Sequence, residues 1–229
     1  MPYSNIKHLF FDLDDTLWDF ESNSKLVIVD LFKKYNLNSL LNTTFESFFI
    51  TYKKINAQLW QQYSLKLITK QYLRDYRFEL SFNAFNYSNI NLSIAFSEDY
   101  ISQSPYGKKL IPKAIQVLDY LKPKYNLHII TNGFKEVQYI KLNNCNLLPY
   151  FDQIIISEEH DTNKPDKKIF EIAQQLAKAN LNECLMIGDN FDNDIAGAKN
   201  AGWQAVWFNN NVNNNPNSIN DLKDLTKYL

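Results

Sequence analysis

Phe10-Phe11-Asp12-Leu13-Asp14-Asp15-Thr16-Leu17 is the stretch on which the reading of this chain turns. An apolar run ends there in three acids, Asp12, Asp14 and Asp15. Like charges crowded together cost free energy unless something compensates them, and a bound cation is the obvious compensation. Magnesium takes hard oxygen ligands and keeps several of its waters, so one or two carboxylates suffice to hold it. In an open α/β sheet, ligands bind outside the carboxyl ends of the strands, which is where Asp12 falls. Asp15 and Thr16 carry a second reading as caps of the following helix, and the residues leave that choice open.

Working outward, short aliphatic and β-branched runs at residues 6–12, 126–131, 153–157, 183–188 and 204–208 read as strands. Helical patterns lie between them at 112–121, 134–144, 165–179 and 193–201. Alternation of this kind predicts an α/β parallel sheet joined by right-handed crossovers. Residues from about 20 to 104 break the alternation with long, aromatic-rich helical segments, 44–63 and 69–82 among them. An all-helical insert after the first strand therefore makes a second, smaller domain, with the core expected at 1–17 and 107–229 and the insert at 18–106. The polar stretch 209–217 reads as a loop, and a last helix is expected over about 218–228.

Three further segments bring chemistry to the same sheet edge. Ile129-Ile130-Thr131-Asn132-Gly133 ends a strand in a hydroxyl, an amide and accessible backbone N–H groups, a set that suits phosphate oxygens. Alone it reads equally well as a capped strand-to-helix turn. Asn163-Lys164-Pro165-Asp166 precedes a helix, with Pro165 expected at the first helical position and Lys164 left as a positive charge at the turn. Met186-Ile187-Gly188-Asp189-Asn190-Phe191-Asp192-Asn193-Asp194 is another strand ending in acids, by itself a metal site or a capped helix. It is the convergence of four such segments that points to a site.

Composition excludes several classes. The 229 residues are 45% hydrophobic and 21% charged, ordinary for a globular chain rather than a disordered one. A formal net charge of −1 gives no general attraction to a nucleic acid polymer or an anionic membrane. No stretch approaches the roughly 20 apolar residues of a membrane span. Cys145 and Cys184 are too few for a disulfide framework or a zinc cluster, so a cytoplasmic setting is expected. His8, His128 and His160 show no catalytic pattern, and His128 is expected to be structural.

The four segments resemble the four motifs of the haloacid dehalogenase (HAD) superfamily. Asp12-Leu13-Asp14-Asp15-Thr16 matches the first, Thr131-Asn132 the second, Lys164-Pro165 the third, and Gly188-Asp189 through Asp194 the fourth. The resemblance implies a modified Rossmann, HAD-like core with an inserted all-helical C1-type cap domain. A narrower resemblance is to the YjjG-like pyrimidine 5′-nucleotidases. It rests on Thr131-Asn132-Gly133-Phe134, Ile156-Ser157-Glu158-Glu159, the run from Lys164 to Phe170, Leu59-Trp60 with Tyr63, and Asn200-Ala201-Gly202.

The resemblance implies a Mg2+-dependent phosphatase acting on a small phosphorylated substrate, a nucleoside monophosphate in the narrower reading. Asp12 is then the nucleophile, Asp14 the general acid and base, and Thr131 and Asn132 the phosphate holders, with Lys164 offsetting the negative charge. The metal falls to Asp12, Asp189 and, by its backbone carbonyl, Asp14. Asp194 and Asn190 are expected behind these groups, orienting a metal-bound water or Lys164. Among the insert's aromatics, Trp60, Tyr63, Tyr72 and Phe85 either stack on a base or form the insert's own core, the latter preferred. The chain is expected to be a monomer or weak homodimer. A sugar phosphatase or phosphomutase is the alternative, followed by a haloacid dehalogenase, against which Asp14 argues, and a catalytically inactive binding protein.

Overall fold

A computed structural model describes residues 3–208 and 218–229, so the loop expected at 209–217 lies outside the described residues. Strands β1 (His8–Phe11), β2 (Asn126–Thr131), β3 (Gln153–Ile156), β4 (Cys184–Gly188), β5 (Gln204–Phe208) and β6 (Ser218–Ile219) form one parallel sheet in the order β3-β2-β1-β4-β5-β6. Helices α1 (Phe20–Lys34), α2 (Leu37–Leu40), α3 (Phe45–Ser64), α4 (Lys70–Asn83) and α5 (Ile90–Gln103) follow β1. The others, α6 (Ala114–Leu121), α7 (Lys135–Asn144), α8 (Lys167–Ala177) and α9 (Gly197–Asn200), are interleaved with the later strands. By its contacts the chain separates into two units, Met1–Phe20 with Lys108–Leu229, and Glu21–Gly107.

The pleat of the central strand explains the sheet. All four residues of β1 are buried, as a strand covered on both faces requires. Leu9 and Phe11 join Leu127, Ile129, Leu185 and Ile187 in one apolar cluster with Val117 and Leu121 of α6. Phe10 joins Ile130 and Met186 in the other, with Ile169, Phe170 and Ala173 of α8. Each such side chain withdrawn from water contributes roughly 1.5–3 kcal/mol before chain entropy is charged against it.

Because β1 lies between β2 and β4, the strand order reverses beside it, and that reversal is where an α/β sheet opens a crevice. Phe11 is in register with Ile129 on one side and Ile187 on the other. The residues just beyond, Asp12, Thr131 and Asp189, are thereby delivered to one edge. The Asp12 amide donates to the Ile187 carbonyl at 2.9 Å, carrying the ladder one residue past the strand.

Three local expectations need correction. Residues 218–228 are not one helix: Ser218–Ile219 pairs with β5, and a 3-10 turn covers Leu222–Lys227, burying Leu222 and Leu225. Pro165 is not the first helical residue; the Lys164–Pro165 peptide is cis, and α8 starts two residues later, capped by the Asp166 carboxylate, which accepts from Lys168 N at 3.0 Å. The helix expected at 193–201 opens as a π-helical stretch, Phe191–Ala196, capped by Asn190.

The unit Glu21–Gly107 is helical, with an aromatic core in which Phe32, Phe48, Phe78, Phe82 and Phe96 are buried. Thr44, Thr69 and Asn89 cap α3, α4 and α5 by accepting from backbone N–H groups three residues on. Of the aromatics weighed for base stacking, Phe85 packs on that core, Tyr72 stacks on Tyr76 at 4.3 Å, and Trp60 meets Tyr63 edge-on at 5.6 Å. No helix among the described residues is long and apolar enough to cross a membrane.

Candidate active site

The carboxylates at the ends of β1 and β4 converge. Asp12, Asp189 and Asp194 each place an oxygen within 4.8 Å of the others, and Asp12 and Asp194 are buried. Gly188 makes this possible: a Cβ there would lie 2.2 Å from Asp194 Oδ2, so only glycine lets the carboxylate pack against the end of β4. Asp194 Oδ2 also accepts from the Asn190 amide at 3.0 Å, which ties the acid back to the start of the π-helical stretch. The Asn190 side chain, expected behind the metal ligands, accepts from Asn193 N at 2.9 Å.

Lys164 is the cation of the cluster, and it does not stand out from a turn as a surface charge. It is 1% exposed, and its three N–H groups are spent on Asp12 Oδ1 at 2.6 Å, Asp194 Oδ1 at 2.6 Å and the Ile130 carbonyl at 2.8 Å. Burial alone would lower its ammonium, but Asp12 and then Asp194 outweigh that and raise it above the ordinary lysine value. The site therefore contains a fixed positive charge.

Its turn is hung on the second motif. Asn132 Oδ1 accepts from Lys164 N at 2.9 Å and from Ser157 Oγ at 2.7 Å, while Asn132 Nδ2 donates to the Lys164 carbonyl at 2.9 Å. Ser157 Oγ is also 2.9 Å from the Thr131 carbonyl. The Asn132 amide, read from sequence as a phosphate holder, is thus mostly occupied in joining two loops, because its oxygen has both lone pairs engaged and only one N–H is left over.

Thr131 is arranged differently. Its hydroxyl oxygen accepts from Gly133 N at 3.1 Å and from Gln138 Nε2 at 2.6 Å, which leaves its own O–H to donate. Thr16, left open between capping and chemistry, is buried against the fourth motif: its hydroxyl donates to Asp189 Oδ1 at 3.2 Å and accepts from Asp189 N at 3.1 Å. Trp207 Nε1 donates to the Asp189 carbonyl at 2.7 Å, fixing the same residue from β5. Asp15 has φ 57 and donates its amide to the Trp18 carbonyl, so it turns the chain rather than capping a helix.

Asp14 has partners of its own, both on α7. Its Oδ1 pairs with Lys141 Nζ at 2.6 Å and its Oδ2 accepts from Gln138 Nε2 at 2.9 Å. Neither partner belongs to the four motifs. A signal existed: both lie on the core-facing side of α7 beside Leu142, where a glutamine and a lysine are out of place.

The acids lack compensation in proportion to their crowding. Burial, then Asp12 and Asp194, push the Asp189 carboxyl well above the ordinary range; burial also raises Asp12, against the pull of Lys164. Lys164 does not cancel three carboxylates by itself. A set of hard carboxylate oxygens this close, short of positive charge, is a fit for a divalent cation such as magnesium, which Asp12, Asp189 and Asp194 could hold between them, with Lys164 already shared by Asp12 and Asp194.

The family model of the haloacid dehalogenase-like hydrolases matches residues 6–202, and the chain belongs to that family. It is 35% identical over 206 residues to pyrimidine 5′-nucleotidase PynA of Streptococcus pneumoniae, covering 89% of this chain and 84% of that one. It is 33% identical over 212 residues to pyrimidine 5′-nucleotidase YjjG of Escherichia coli, covering 92% and 89%. The magnesium-bound crystal structure of the HAD-hydrolase YfnB from Bacillus subtilis superposes with a TM-score of 0.89 at 27% identity, over 98% of this chain and 99% of that one.

Proposed function

We propose that this chain is a Mg2+-dependent phosphomonoester hydrolase acting through an aspartyl-phosphate on Asp12, with pyrimidine nucleoside 5′-monophosphates as its substrates. The observation that carries the reading is the meeting of Asp12, Asp189 and Asp194 around the buried ammonium of Lys164 at the switch point of the sheet. The substrate class rests on the likeness to PynA and YjjG. The helical unit Glu21–Gly107 corresponds to the inserted cap that the HAD resemblance implies, and substrate choice is assigned to it.

In the first half-reaction an Asp12 carboxylate oxygen bonds to phosphorus as the bond to the leaving oxygen breaks, and a proton on Asp14 passes to that oxygen. In the second, water attacks phosphorus, its proton returns to Asp14, and the Asp12–phosphate bond breaks, releasing inorganic phosphate. The Thr131 hydroxyl and a free N–H at Asn132 donate to phosphate oxygens. Lys164 orients Asp12 and supplies positive charge. Asp12, Asp189 and the Asp14 backbone carbonyl would hold magnesium, which when bound would neutralise negative charge at the site.

Purified protein is assayed for phosphate release from uridine and thymidine monophosphate and from hexose phosphates, with magnesium and with chelator. The expected result is magnesium-dependent release that favours the nucleotides and vanishes in Asp12→Asn while the fold persists. Preference for hexose phosphates moves the reading to a sugar phosphatase; no turnover of any phosphate monoester refutes it.

A further inference from the structure

Gln138 and Lys141 lie one helical turn apart on α7, so both side chains leave the same face. Lys141 is 4% exposed and sits 4.3 Å over the Trp18 ring. A lysine in such a place costs several kcal/mol unless its charge is paired, and the pairing is to Asp14 Oδ1 at 2.6 Å. Gln138 is fully buried, and its one amide nitrogen donates both to Asp14 Oδ2 at 2.9 Å and to Thr131 Oγ1 at 2.6 Å. Gly133 keeps the space open, since a Cβ there would lie 2.1 Å from that nitrogen. Gln138 Oε1, buried with no partner, marks a side-chain amide oriented by what its nitrogen must reach.

From this geometry we infer that Gln138 and Lys141 are positioning residues, a clamp holding both carboxylate oxygens of Asp14 and locking it to the hydroxyl that binds phosphate. The inference rests on the phosphatase reading and deepens it. Lys141 acts on Asp14 alone. Gln138 acts on Asp14 and Thr131 together, so the acid–base group and the phosphate-binding group keep one spacing through both half-reactions. A side chain that merely filled α7's packing face would have no reason to distinguish substrates by leaving group.

The test uses the full chain with magnesium, measuring kcat/KM on uridine monophosphate and on p-nitrophenyl phosphate, whose leaving group departs without a proton. Lys141→Met is expected to lower kcat/KM on the nucleotide about 100-fold, within the usual worth of a positioned acid, and at least about tenfold less on the aryl phosphate. Inhibition by inorganic phosphate stays unchanged in that variant, and Lys141→Arg restores most of the nucleotide rate. Gln138→Leu lowers the nucleotide rate and also weakens inhibition by inorganic phosphate. In an Asp14→Asn background, Lys141→Met adds less than about a twofold further loss.

Retention of the nucleotide rate by folded Lys141→Met, equal losses on both substrates, or additive losses in the Asp14→Asn background would each overturn the inference. Should Lys141→Met not fold, Gln138→Leu decides, and unaltered rate and phosphate inhibition in it are equally fatal. Absence of magnesium-dependent hydrolysis in the unmodified chain is a different failure, that of the phosphatase reading.

Discussion

Replacing Lys164 by methionine deletes a charge and leaves the packing nearly as it was. The ammonium it removes is 2.6 Å from Asp12 Oδ1, 2.6 Å from Asp194 Oδ1 and 2.8 Å from the Ile130 carbonyl. Both carboxylates stay buried and facing one another, with Asp189 close by. Removing one partner from a buried ion pair costs about 3–5 kcal/mol, because the other charge is stranded. A chain of this size loses roughly 2–4 °C of Tm per kcal/mol, so the variant should melt about 6–20 °C lower in chelator. Thermal melts with and without excess magnesium make the measurement. Magnesium should recover part of the loss, and Lys164→Met with Asp194→Asn should be more stable than Lys164→Met alone, since one stranded charge has gone. A folded Lys164→Met variant melting within about 2 °C of the original in chelator would refute the reasoning, for the carboxylates would then be hydrated rather than buried.

Magnesium alone should stabilise the unaltered chain by RT ln(1 + [Mg2+]/Kd) and so raise its Tm, and Asp189→Asn should abolish that rise; melts across a magnesium titration check both. Gly188→Ala should cost about 1–3 kcal/mol, since Asp194 is gripped by both Lys164 and the Asn190 amide and is not free to yield, and denaturant titration reads the loss. Burial, and then His8, hold His128 down to about 4 in the folded chain, so the unfolded chain takes up a proton the folded one refuses as pH falls from about 6.5 to about 4. That contribution is intact above the unfolded value and is lost across the window, up to about 3 kcal/mol; stability measured against pH should flatten in His128→Leu.

The strands were legible because a parallel sheet covered on both faces needs uninterrupted apolar runs, and β1, β2 and β4 each end one in a polar residue of the site. The insert was legible from the loss of that pattern over a long span. What sequence did not show were pairings between distant segments. Lys164 looked like any turn lysine, because its partners lie 152 and 30 residues away. Asp14 gave no hint of Lys141, 127 residues on, and the part Asn132 plays in joining two loops was hidden because the loop it binds is remote in the chain. The last strand was missed because two residues carry no periodicity, and the π-helical opening at Phe191 because its acids read simply as a helix start.

The sheet's central strand is also the first one made. During synthesis, at about 5–20 residues per second, β1 must leave the ribosome long before either neighbour exists. Its flanks are β2 and β4, and Thr16 meets Asp189 only across 173 residues of chain. A nascent chain halted between Lys164 and β4 already holds the ammonium that pairs with Asp12, but carries an apolar strand with one side bare. Arrested chains ending near residue 183 should therefore engage chaperones or aggregate, whereas those extended past Asp194 should resist protease.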